Sequence, residues 1–425
     1  MDGSAVIARV AVALAMTLSA NRNGGQTPFP KASERQLDVS PTGPYRTVAA
    51  AVEAARAGDR VVVHAGVYRE PLVTIDKPLV LEGEGAPVLD GELQHGLILV
   101  TADDVTVRGL VLRNVGTSFV EDRAALRVTA AHGCVIEHNR VENGFFGIYL
   151  ANTTDCRVTD NVLHASGLRE TESGNGIHLW TSRRITIARN EISGHRDGIY
   201  FEFVHDSDIE QNLSTGNIRY GLHFMFSDDC RYVGNTFRNN GSGVAVMFTK
   251  RVQMIGNRFE DNWGPAAYGL LLKEIMDSRL EGNRFTHNTT GLLADGANRL
   301  VAEHNDFSGN GWAVKLETST IGGRFERNNF RGNSFDVATN SREPSTTFNG
   351  NYWDGYRGYD LDRNGVGDVP YRPVRLFSVI VEHFQPALIL MRSAFVELLD
   401  GAERVLPSLT PDALMDRAPA MRPVT

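Results

Sequence analysis

One short pattern, Gly-apolar-x-apolar, returns seven times in the middle of the chain. It reads GIYL at Gly147, GIHL at Gly176, GIYF at Gly198, GLHF at Gly221, GVAV at Gly243, GLLL at Gly269 and GLLA at Gly291. The spacings are 29, 22, 23, 22, 26 and 22 residues, and an Asn stands fourteen residues after each Gly, from Asn161 to Asn305. A unit this short with apolar positions at period two cannot bury its own inner face, so neighbouring units must complete the core. The pattern predicts an all-β fold: a single-stranded, right-handed parallel β-helix of coils of about 22 residues. The 42 Gly residues suit a chain of short strands and turns. The Asn column predicts corners at which Asn takes the left-handed conformation while its amide bonds the equivalent amides of the coils above and below. Five later copies carry Phe two positions beyond the Asn, at Phe237, Phe259, Phe285, Phe307 and Phe330.

The long spacings come from insertions at Leu168–Ser173 and Trp263–Tyr268, which precede the Gly and so emerge at one corner. Residues 1–20 read as a signal peptide: "AVIARVAVALAMTLSA" carries one charge, ends in small residues near Ala20 and predicts export to the periplasm. Residues 21–60 form an N-terminal segment whose Thr47–Arg56 stretch, closed by Gly58, predicts an amphipathic helix capping the open end of the stack. Coils are expected over 61–373, and 374–425 form an amphipathic C-terminal tail. Cys134, Cys156 and Cys230 stand nine residues into their repeats; small buried residues in a ladder are expected, with a Cys134–Cys156 disulfide across one coil step as the alternative.

A net charge of −8 and a pI near 5.9 offer no field for phosphates, so no nucleic-acid partner is expected. Function therefore falls to the outward positions of the Gly-apolar strands. One column reads Tyr149, His178, Tyr200, His223, Ala245, Leu271 and Leu293; the next reads Ala151, Trp180, Glu202, Met225, Met247, Lys273 and Asp295. Imidazole with thioether suits copper, above all the cuprous ion, so His178, Glu202, His223, Met225 and Met247 are the candidate ligands. His178 and His223 lie two coils apart, leaving His223, Met225 and Met247 as the tight cluster. The same face also reads as a protein-docking surface or a sugar-stacking platform. A carbohydrate-active enzyme (lyase, hydrolase or epimerase) acting on an acidic polysaccharide is the alternative function, with Asp228, Asp229, Glu202, His205, Asp206 and Asp208 as its carboxylates and imidazole.

After the last coil, Asp360, Asp362, Asn364 and Asp368 match positions of a calcium loop whose final Glu is replaced by Tyr371, so a reduced Ca2+ site competes with a self-bonded turn. The run containing "NYWD", "GYD" and "NGVGDVPY" (Asn351–Tyr371), with the tail "LLDGAERVLPSLTP", resembles the NosD family of nitrous oxide reductase maturation proteins. That resemblance implies repeats of the carbohydrate-binding and sugar-hydrolase type in a periplasmic accessory protein without catalytic turnover. It also implies partnership with an ABC transporter permease and ATPase, and with a copper chaperone and nitrous oxide reductase. In the tail, Leu388, Met391, Phe395, Leu398 and Leu399 form a helix-compatible stripe that either caps the last coil or docks on a permease, which would hold the protein at the membrane. The segment is too short and too charged to span a bilayer.

Overall fold

The computed structural model describes residues 35–424 other than 119, 168, 172, 318, 341–344, 392 and 406–413. The signal segment expected at 1–20 lies outside the described residues. The chain winds through three parallel sheets, visiting each once per coil. Sheet 1 has 14 strands from Gln36–Val39 to Thr347–Asn349, sheet 2 has 13 from Val67–Tyr68 to Tyr352–Trp353, and sheet 3 has 12 from Val73–Ile75 to Phe335–Thr339. The repeated Gly-apolar segments are the sheet 3 strands. Their Gly residues are buried where a Cβ would meet the next coil: at Gly221 it would stand 2.8 Å from the Gly243 carbonyl oxygen.

The Asn column forms one continuous ladder at the corner between sheets 1 and 2. From Asn139 through Asn161, Asn190, Asn212, Asn235, Asn257, Asn283, Asn305 and Asn328 to Asn351, each side chain donates to the next Oδ1 at 2.9–3.1 Å. That same Oδ1 also accepts the backbone N–H of the preceding rung. The left-handed conformation, however, belongs to the residue before each Asn: Asp160, Arg189, Gln211 and Gly234 have φ of 57°, 55°, 54° and 65°. The corner therefore bends one residue early, which frees the Asn to point inward. A second ladder runs between sheets 2 and 3, from His195 through Asn217, Asn240, Asn262, Asn288 and Asn310 to Asn333. The Phe column stacks inside the core from Phe237 to Phe330 and ends on Trp353, with ring centroids 4.1–5.7 Å apart.

The chain joins the stack before the expected first coil, since Gln36–Val39 pairs with Arg60–His64. Between them helix α1 (Val48–Ala54) buries Val48, Ala51 and Val52 over the open end. Its first turn is held by the Thr47 hydroxyl and by the Glu70 carboxylate, which accepts from Val48 N and Ala49 N at 2.8 Å each. At the other end, α2 (Leu376–His383), a 3-10 turn (Gln385–Leu390) and α3 (Ala394–Val405) lie against sheet 3. Residues 414–424 then return to the last coil. Buried Asp416 continues the Asn ladder there, its Oδ2 accepting from Asn351 N, Asn351 Nδ2 and Trp353 Nε1 at 2.9, 3.0 and 3.1 Å. The repeat core is thus completed by the end of the tail rather than before it. All three cysteines are free and buried, so the ladder reading describes them and the disulfide reading does not.

Candidate metal-binding face

Strand register on sheet 3 places the outward residues in columns. Tyr149, His178, Tyr200 and His223 are partners on successive strands, as are Trp180, Glu202, Met225 and Met247. The described residues of both insertions fall between a sheet 2 strand and the start of the sheet 3 strand that follows it. Two members of the first column are covered, Tyr149 at 6% and His223 at 8% exposed, although strand alternation alone would leave them in solvent; His178 and Tyr200 are half-buried. The Tyr220 ring lies 4.9 Å from that of His223, and Tyr268 donates from its hydroxyl to that of Tyr220 at 3.3 Å.

The rings form a continuous row, Tyr149 stacked on His178 at 4.4 Å between centroids, His178 tilted on Tyr200 at 4.7 Å, and Tyr200 edge-to-face with His223 at 5.1 Å. Tyr200 therefore stands between the two imidazoles, and they do not share one site. His178 Nδ1 accepts from Asn175 Nδ2 at 2.9 Å, and burial, then the nearby Arg196 charge, lowers its pKa to about 3. It is a neutral imidazole at any physiological pH. Glu202 accepts from the Tyr200 hydroxyl at 3.1 Å, and Met225 Sδ lies 3.9 Å from the same hydroxyl. Glu202, Met225 and Met247 thus adjoin on three successive coils, with Lys273 beyond Met247 paired to Asp295 at 3.7 Å.

His223 is the singular group. Its Nε2 is buried without a hydrogen-bond partner among the described residues, while Nδ1 stands 3.3 Å from Arg219 Nη2 and 3.7 Å from Asp197 Oδ2. Asp197 is fully buried, and Arg219 grips it through both guanidinium arms, Nε to Oδ1 at 2.9 Å. Burial alone would raise the Asp197 pKa; hydrogen bonds from Arg219 and His223 outweigh it and hold the carboxyl below its ordinary range. Among the described residues no three His, Cys, Asp or Glu side chains converge as a metal cluster, so an ion on this face depends on the thioethers.

Sequence reasoning missed Asp197, Arg219, Tyr220 and Tyr268, since only the fold brings the residues before the repeat Gly over the column. It also missed Phe203, Phe226 and Phe248. Each stands five residues after a repeat Gly, is 38–43% exposed, and takes a left-handed φ of 48–56°. They stack in parallel at 5.3 and 5.2 Å beside Glu202, Met225 and Met247. The same corner position holds Asn152, Thr181, Glu274 and Gly296 in other coils, so the fold does not demand Phe there. The fixed spacing was the available signal.

The other candidates resolve differently. In the expected calcium loop the oxygens bond within the turn: Asp360 accepts from Gly365 N at 2.9 Å and Asn364 N at 3.1 Å, Asn364 from Val366 N at 2.7 Å, and Asp368 from Leu361 N at 2.7 Å. Asp362 bonds Asn364 Nδ2 at 2.9 Å. The residues match a self-closed Asx turn, and the calcium reading gains no support from them. The carboxylates considered for carbohydrate chemistry are engaged between coils, Asp206 with Arg183, Asp208 with Arg231, Asp229 with Arg251 and Asp228 with Lys250. The tail stripe divides. Met391 and Leu399 pack with Trp312, Phe335, Phe377 and Val381, whereas Leu388, Phe395 and Leu398 face solvent.

The molecule is thus a parallel β-solenoid whose outward face carries imidazole and thioether donors. A family described as periplasmic copper-binding protein (NosD) matches residues 164–358. A probable ABC transporter binding protein NosD from Pseudomonas aeruginosa is 33% identical over 379 residues, covering 84% of this chain and 87% of that protein. Its counterpart from Stutzerimonas stutzeri is 28% identical over 378 residues, 84% and 86% of the two chains. The chain belongs to the NosD family. Among solved structures, the A-module of a mannuronan C-5 epimerase (AlgE6) from Azotobacter vinelandii superposes with a TM-score of 0.61 at 18% identity, over 72% of this chain and 93% of that one. The catalytic unit of an alpha-1,3-glucanase from Streptomyces thermodiastaticus gives 0.60 at 14%, over 79% and 71%. These two likenesses concern the fold alone.

Proposed function

We propose that this protein is a periplasmic accessory factor that carries cuprous copper as cargo for the copper centre of nitrous oxide reductase, without catalytic turnover. It takes the ion from a copper chaperone and works while docked on the permease and ATPase of an ABC transporter. The observation that carries the reading is the buried Nε2 of His223, unpartnered among the described residues, beside the register-paired thioethers Met225 and Met247. Thioether is a soft donor that favours Cu(I) over harder divalent ions. Glu202 flanks this set, and His178, beyond the Tyr200 ring, is a neutral imidazole on the same face. The family description and the relatives' names support copper and the transporter as partners.

No described helix is long and apolar enough to cross a membrane. Membrane association is assigned to the exposed apolar residues of the 3-10 turn and α3, Leu388, Phe395 and Leu398, docking on the permease. The test changes Met225 and Met247 together to Leu, a near volume-conserving swap that costs less than about 1.5 kcal/mol per site. We expect anaerobic Cu(I) titration to show tight binding in the parent and its loss in the double variant. Cells carrying that variant should assemble the transporter complex but leave the reductase short of copper. A fully copper-loaded reductase would sink the reading and leave His178, Trp180, Tyr200, His223 and the Phe203–Phe226–Phe248 ladder as a docking face.

A further inference from the structure

The His223 imidazole is set between one group that can only donate and one that can only accept. Arg219 Nη2, 3.3 Å from Nδ1, is a permanent donor; Asp197 Oδ2, 3.7 Å from the same atom, is an ionised acceptor. The two are locked to each other, and Asp197 is fully buried. The Tyr200 and Tyr220 rings, at 5.1 and 4.9 Å, restrict rotation of the imidazole. Among the described residues none hydrogen-bonds Nε2.

Resting on the copper reading above, we propose that Asp197 and Arg219 are the positioning residues of the site, a paired cradle that serves His223 whichever ring nitrogen carries the proton. Without metal, Nδ1 accepts from Arg219 and the proton resides on Nε2. When Nε2 takes Cu(I), its proton leaves to water, a proton returns from water to Nδ1, and Nδ1–H donates to Asp197. No net proton is released and no oxidant or reductant is consumed. A carboxylate behind a ligating imidazole fixes the ring and raises its basicity, and removing such a support typically costs roughly 10–100-fold in metal affinity. Of the residues that precede the repeat Gly only Asp197 is acidic; the coil before it has Asn175, and at the same register the next two coils have Tyr220 and Ser242.

The experiment uses the full chain labelled with 15N-histidine. Two-bond 1H–15N spectra are recorded with and without Cu(I) under anaerobic conditions, and affinity is read against a chromophoric Cu(I) chelator. His223 is assigned by the signal lost in His223→Gln. The proposal expects an Nε2-protonated ring without metal and a metallated Nε2 with protonated Nδ1 on loading. It expects Asp197→Asn, checked for fold by its melting curve, to bind roughly 10–100-fold more weakly. Parent-like affinity in Asp197→Asn would overturn it, as would Cu(I) at Nδ1 of the parent, a result independent of any variant's folding. A parent that binds no Cu(I) sinks the copper reading itself and this inference with it, an outcome distinct from the other two.

Discussion

At the scale of single residues, the ladders show how a solenoid satisfies polar groups it must bury, and where it fails to. Each interior Asn donates to the next side chain and accepts a backbone N–H, so one deletion would orphan groups on two coils. The second ladder begins at His195, which is fully buried and has neither ring nitrogen bonded among the described residues. Burial, then the neighbouring His164 charge, lowers its pKa to about 3, while the unfolded chain binds that proton near pH 6.5. Between those values the unfolded state holds more protons, so stability falls as pH drops from about 6.5 toward 3, by up to about 1.4 kcal/mol per pH unit from this group. His195→Asn should flatten that slope, as urea unfolding midpoints from pH 7 to pH 4 would register; an unchanged slope would mean the imidazole finds a partner. The Asn column was legible because a polar residue repeated at the coil period has few other uses. The left-handed residue before it was not, because Asp, Arg, Gln, His and Gly all occupy that place and share no chemistry to recognise.

At the scale of elements, the last rung comes from far away in sequence. Asp416 closes a ladder that starts at Asn139, and its carboxylate is the terminal acceptor for Asn351 and Trp353. Hydrogen bonds to a charged group contribute roughly 1.5–3 kcal/mol each, so Asp416→Ala should destabilise the end of the stack by about 3 kcal/mol or more. Asp416→Asn keeps one acceptor oxygen and should cost less. Hydrogen exchange in Phe325–Trp353 is the measurement, because solenoids lose stability locally and these strands should open first. Equal exchange in parent and Asp416→Ala would show that the rung is dispensable. Removing the tail from residue 386 should by the same argument loosen the last coil, as well as abolish docking. The helical stripe was visible in the sequence as a period, but periodicity cannot say which half of a wide stripe meets the sheet. Packing of Met391 and Leu399 against Trp312 and Phe335 decides it.

For the whole molecule, the half of the stripe left over is an apolar surface: Phe384 is 61%, Leu388 41%, Ile389 89%, Phe395 46% and Leu398 71% exposed. Leu388→Ser, Phe395→Ser and Leu398→Ser together should abolish co-purification with the transporter complex. They should leave the melting temperature nearly unchanged, since exposed substitutions usually stay within about 0.5 kcal/mol each. Retained association would move the docking surface elsewhere, with the exposed Phe203–Phe226–Phe248 ladder the next to test. The sequence by itself determined the solenoid, its coil length, the columns that face outward, the common corner of the insertions and the family. All of these follow from a local period, and a period read along the chain is a distance measured along the stack. Only the tertiary structure decided that Tyr149 and His223 are covered, that Tyr200 parts the two imidazoles, that Asp197 and Arg219 stand behind His223, and that Asp416 seals the far end. Those contacts join residues from different coils or from the two ends of the repeat, and their geometry is set by how corners fold over a sheet, which no spacing along the chain encodes.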